Sequence, residues 1–128
     1  MLGLFNFFGR SDALKALDQE LREAGLHPRI VPEAVKLTIV RLLKGKAGPG
    51  ARISDADFAD AAMLIGYCML GPEQFIASTG LPEAERVEKR VDAAIARGTG
   101  LDANIILLAH NAGLIHAELA DRFEVETG

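Results

Sequence analysis

The stretch IILLAHNAGLIHAEL, Ile105 to Leu119, carries His110, Asn111, His116 and Glu118 inside one of the most apolar runs of the 128-residue chain. Imidazoles and carboxylates serve as metal ligands and as general acids or bases, so a metal site, a catalytic pair and a ligand pocket are the chemistries to weigh. Read as one helix, the spacing scatters these groups. His110 and His116 lie six residues apart, ~120° around a helix, whereas two ligands from one helix need a separation of three, four or seven. His116 and Glu118 diverge by ~160°. Leu107 stands three residues before His110 and Gly113 three before His116, so neither H-E-x-x-H nor E-x-x-H is present. Neither a metal site nor a cofactor is expected.

His116 stays in view because a single helix would set it among Ile105, Ala109, Ala112 and Phe123. An imidazole buried there needs a hydrogen-bond partner, and Tyr67, Cys68, Thr38 or a backbone carbonyl could supply it. A satisfied core histidine is the bland reading. The sharper one is a ligand pocket between apolar helices, anchored by His116 with Tyr67 and Cys68. Cys68 as a nucleophile would need exposure beside an activating group, and its neighbours Leu64, Tyr67 and Met69 suggest an inert thiol. No catalytic residue is nominated.

The elements that must position these residues are helical. Twenty alanines and seven aromatics suit helix-on-helix packing, and no strand alternation or internal repeat competes. Ser11 is placed to cap a helix to about Ala24, with Leu14, Leu17 and Leu21 on one face and Gly25 as the stop. Pro32 opens a second helix running to Gly45, and KAGPGAR, Lys46 to Arg52, reads as a loop. Ser54 and Asp57 form the pattern of a capping box for a helix from Asp55 to about Leu70, which Gly71-Pro72 ends before the short piece EQFIAST. A further helix runs from Leu81-Pro82 to Arg97 with a narrow stripe of Val87, Val91 and Ile95, and after GTG a long one spans Asp102 to about Phe123. The expectation is a single all-α domain over 1–128, a bundle of about five helices. The segments at about 55–70 and 102–123, apolar nearly all round, should be central or at a subunit interface. Gly66 and Gly113 stand where small residues would let backbones approach.

Bulk properties exclude more than they identify. The single cysteine precludes an intramolecular disulfide and fits a reducing, cytoplasmic setting. The opening MLGLFNFFGR lacks the basic start of a signal peptide, and no run reaches the ~20 apolar residues of a bilayer span. Residues 1–52 carry nine Lys or Arg against five Asp or Glu, and residues 53–128 five against thirteen. The two halves could complement each other, or the basic half could face an anionic partner.

Two apparent motifs fail on inspection. GKAGPG, Gly45 to Gly50, lacks the Walker pattern and a preceding strand, and Pro49 removes an N–H that a phosphate cradle needs. Lys44, Lys46 and Arg52 could still make that loop an anion contact. The tail AELADRFEVETG resembles the first helix and turn of a helix-turn-helix, but no recognition helix follows Glu124 and the second half is acidic. Nucleic acid is not an expected partner.

Residues 1–10 form an apolar N-terminal segment. Leu2, Leu4, Phe5, Phe7 and Phe8 are each worth ~1.5 to 3 kcal/mol when fully buried, so they must dock on the bundle, on a sister subunit, in a partner groove or on a membrane surface. Only three basic residues occur among the first 28, thin for a polybasic anchor. The function expected is a non-enzymatic helical interaction or adaptor module. It would be a homodimer through an apolar helix face and engage a protein partner through residues 1–10 and the basic first half, with Lys44, Lys46 and Arg52 as contacts. The alternatives are a small-ligand protein or enzyme with a pocket at His116, and peripheral membrane binding through residues 1–10.

Overall fold

Five α-helices account for most of residues 11–120, the part of the chain that the computed structural model describes, and no strand occurs among them. Helix α1 (Asp12–Glu23) starts at Ser11, whose side chain accepts from the Leu14 N–H at 3.2 Å, and it buries Leu14, Leu17 and Leu21. A 3-10 turn, Pro28–Ile30, leads into α2 (Glu33–Ala47). The run Thr38-Ile39-Val40 is weak in helix propensity, but Ile39 and Val40 are buried and the Thr38 hydroxyl donates to the Ala34 carbonyl at 2.9 Å. Tertiary packing overrides propensity here.

Helix α3 (Asp55–Thr79) is the centre of the bundle, packing against α1, α2, α4 (Leu81–Arg97) and α5 (Leu101–Asn111). Phe58, Ala62 and Ile65 are buried on one side of it and Tyr67 on the other, as a segment apolar all round requires. The Tyr67 ring meets Phe75 edge-on, centroids 5.6 Å apart. A Cβ on Gly66 would lie 3.0 Å from the Ala24 Cβ and 3.3 Å from the Phe75 ring, so this glycine does admit the end of α1 close to α3. The capping box forms by half: Ser54 accepts from the Asp57 N–H at 3.1 Å, while the Asp57 carboxylate takes Lys46 at 2.6 Å. At Gly71 the helix breaks (φ 84°, ψ 164°), and Pro72 begins its short second part.

The last helix departs from expectation. Instead of one rod over 102–123, α5 stops at Asn111, and a helical turn resumes at residues 117–120. Gly113 adopts φ +72°, its N–H bonds the His110 carbonyl at 3.0 Å, and the Leu114 N–H bonds the Ala109 carbonyl at 3.0 Å. This is the paired hydrogen-bond pattern of a Schellman end, which satisfies the final carbonyls with a left-handed glycine. Gly113 therefore stops a helix rather than seating a neighbour, and a Cβ there would meet nothing within 4 Å.

Two charged ties link the elements. Lys36, 4% exposed, donates to Asp18 and to the Pro28 carbonyl, each at 3.2 Å, and lies 3.5 Å from Glu33. It thereby joins α1, the 3-10 turn and α2. Arg90 holds both oxygens of Asp102 at 3.1 and 3.0 Å and the Asp60 carbonyl at 3.1 Å, joining α4, α5 and α3. Removing one partner of a buried pair strands the other charge. Lys36→Met should therefore destabilise the fold by about 3 to 5 kcal/mol in urea titration. The double change Lys36→Met with Asp18→Leu should recover part of that loss.

Candidate functional site

The residues expected to anchor a ligand are held by structural bonds. An α-helix passing through position 72 would give the Cys68 carbonyl an N–H four residues on, but that residue is proline. The His116 backbone N–H takes its place at 2.8 Å. The imidazole lies against Gly71, where an added Cβ would come within 2.9 Å of the ring. Its Nδ1 accepts from the Glu118 N–H at 3.1 Å, which makes His116 the N-cap of the turn that follows. It is half-buried rather than set in the middle of an apolar face, because Gly113 has already ended that face. The carbonyl anticipated as its partner is present, but the bond runs from the backbone.

Tyr67 and Cys68 do not join His116 in a pocket. The Tyr67 hydroxyl donates to Glu88 on α4 at 2.9 Å, and the Cys68 thiol is fully buried. Around His116 the surface forms an open polar groove of about 540 Å3 with Glu73, Gln74, Ser78 and Glu118 on its walls. His110 and Asn111 are exposed at the end of α5. Among the described residues no group of three or more His, Cys, Asp or Glu is placed to hold a metal.

The basic residues separate into two sites. Lys46 belongs to a saturated charged region with Asp57, Asp60, Arg90 and Asp102. Its pKa is raised, first by the hydrogen bond to Asp57 against an opposing cost of burial, with the charges of Asp57, Asp60 and Asp102 adding. Lys44 and Arg52 instead rim an open cleft of about 1050 Å3 between the start of α1, the end of α2 and the loop at 48–53. Buried Phe58 and half-buried Ala13, Ala16 and Ile53 line it, with Asp12 and Asp55 also at its edge. Those two aspartates occupy the first turns of α1 and α3, where the helix dipole offsets their charge. No carboxylate among the described residues lies within ion-pair distance of Lys44 or Arg52. Leu2, Leu4, Phe5, Phe7 and Phe8 lie outside the described residues.

No family model, curated protein or solved structure matches this chain. The site thus stands on its own geometry. Among the described residues no helix is long and apolar enough to cross a membrane.

Sequence reasoning missed Lys36, Arg90 and the cleft wall at Ala13 and Ala16. A lysine beside Val35 and a four-residue step to Val40 on a buried face were the signals for Lys36. Arg90 showed no signal, since its partner is twelve residues away on another helix.

Two measurements follow. His116→Ala removes the cap acceptor and should cost about 0.5 to 2 kcal/mol in urea titration, while His116→Asn keeps an acceptor and most of that stability. Because the Lys46 pKa is higher folded than unfolded, its contribution is complete below the unfolded lysine value and vanishes as pH climbs through the folded one. The difference in Tm between the wild type and Lys46→Gln should therefore persist at neutral pH and close in strongly alkaline buffer.

Proposed function

We propose that this chain is a non-enzymatic helical interaction module that binds a protein partner at the cleft beside α1, together with its N-terminal apolar segment. The observation that carries this reading is the pairing of an apolar floor, Ala13, Ala16, Ile53 and Phe58, with two cations, Lys44 and Arg52, that share the rim with Asp12 and Asp55 but form no ion pair with any described carboxylate. A partner segment with apolar side chains flanked by acidic ones would match both features, the apolar part supplying affinity and the charges orientation and approach rate. The contrast with Lys46 supports the choice, since Asp57 already holds that residue at 2.6 Å. The ligand-pocket alternative draws no comparable support, because Tyr67 is bonded to Glu88, Cys68 is sealed and His116 caps a turn.

The test is quantitative capture from native lysate by the immobilised wild type, by Lys44→Glu with Arg52→Glu, and by Lys46→Gln. The double reversal should weaken capture of a specific protein by roughly tenfold or more, about 1.4 kcal/mol per decade, with an unchanged circular dichroism spectrum, while Lys46→Gln retains it. Equal capture by all three would overturn the reading.

A further inference from the structure

The groove around His116 holds a bond that only an uncharged imidazole can make. Its Nδ1 accepts from the Glu118 N–H at 3.1 Å, and a ring nitrogen accepts only while it carries no proton. A charged imidazole is protonated on both nitrogens, so in that state the ring and the Glu118 amide face each other as two donors. Imidazole is also the side chain whose charge ordinarily changes between about pH 5 and 8. We infer that His116 is an acid-operated latch. Uncharged, it caps the turn at residues 117–120 and keeps Leu119 seated in the core; charged, it lets that turn go.

The latch has something to hold. Leu119 is 1% exposed and belongs to the hydrophobic core. Its own N–H and that of Ala120 both end on the His116 carbonyl, at 2.9 and 3.0 Å, while the His116 N–H ends on the Cys68 carbonyl. The ring lies against Gly71, at the break in α3, where a Cβ would come within 2.9 Å. One side chain in one position therefore supplies both the cap and the contact with α3, and the half-buried ring is within reach of solvent protons.

The charged ring has a different preference. The charged residues lining the groove are Glu73, from the second part of α3, and Glu118, from the turn; the rest of its wall, Leu70, Gln74, Ala77 and Ser78, is uncharged. Both carboxylates favour a charged imidazole, yet drawing the ring toward them does not give the Glu118 N–H back its acceptor. Each protonation state thus favours its own arrangement, which is the differential interaction that a switch requires.

His27 makes the same bond with less at stake. Its Nδ1 accepts from the Arg29 N–H at 3.1 Å, but the ring is exposed, and the 3-10 turn it caps is also tied by Lys36 to the Pro28 carbonyl at 3.2 Å. Acid leaves that second tie in place. The latch also lies apart from the proposed partner site, since no residue lines both the groove at His116 and the cleft at Lys44 and Arg52. Partner capture and the latch can fail independently.

The experiment is amide hydrogen exchange on the full chain, read by NMR as protection factors at Glu118, Leu119 and Ala120 from about pH 8 to 5, a range in which imidazoles change charge and ordinary carboxylates do not. The ring resonances of His116 report its charge in the same samples. In the wild type, protection at the three amides should fall roughly two- to thirtyfold, the worth of an N-cap of about 0.5 to 2 kcal/mol. The fall should keep step with the charging of the His116 ring, while core amides such as Leu64 hold theirs. His116→Asn, which offers an acceptor that does not titrate, should show no such fall, and His27→Asn should behave as the wild type. A His116 ring that charges while protection holds overturns the inference, and that comparison needs no variant. So does an equal fall in His116→Asn, and so does a fall that disappears in His27→Asn.

Discussion

Proline at position 72 leaves the carbonyl of Cys68 without the N–H that an uninterrupted helix would bring to it, and that carbonyl lies in the most buried part of α3. A buried acceptor left unmet costs about 1 to 3 kcal/mol, so the fold must deliver a donor from elsewhere. It delivers the His116 backbone N–H at 2.8 Å, and much of the C-terminal architecture follows from that requirement. The chain has to leave the axis of α5, and the Schellman end at Gly113 turns it. It has to approach the α3 backbone closely, and Gly71, with no Cβ, gives the imidazole a surface to lie on. Having arrived, it restarts a helical turn, and the His116 ring caps it.

The same economy of bonds explains why the most chemical-looking residues are structural. His116 contributes its backbone N–H to α3 and its Nδ1 to the Glu118 amide. Tyr67 joins α3 to α4 through Glu88. Lys36 and Arg90, whose sequence neighbourhoods promise little, hold three elements each. Lys44 and Arg52 are among the basic residues that no described carboxylate pairs with, and these two stand beside a cleft whose walls are small residues of α1 and the glycine-rich loop. That division between bonds used in building and groups left available directs attention to the cleft rather than to the histidines.

Much of the architecture was legible because it follows from local rules. The Ser11 and Ser54 caps, the breaks at Gly71-Pro72 and at the loop after α2, and the burial of Leu14, Leu17 and Leu21 all follow from residue type and periodicity. The central place of α3 follows from its apolar girth. The final helix misled because Ala112-Gly113-Leu114 interrupts no apolar period: Ile105, Ala109 and Leu119 are buried both in a continuous helix and in the broken chain. A lone glycine in an apolar run can be a packing position or a left-handed stop, and only the hydrogen-bond demand at Cys68, forty-five residues before Gly113, decides between them. Long-range bonds such as Lys36 to Asp18 and Arg90 to Asp102 escaped for the same reason, because spacing along one helix says nothing of what a neighbouring helix presents.

One bond, from the His116 amide to the Cys68 carbonyl, sets the course of the C-terminal chain. A trans-hydrogen-bond scalar coupling experiment on isotope-labelled protein reads that bond directly. The account predicts a cross-peak between the His116 amide nitrogen and the Cys68 carbonyl carbon, with the His116 amide proton exchanging slowly with solvent. An absent coupling together with exchange at the rate of an unprotected amide would contradict it.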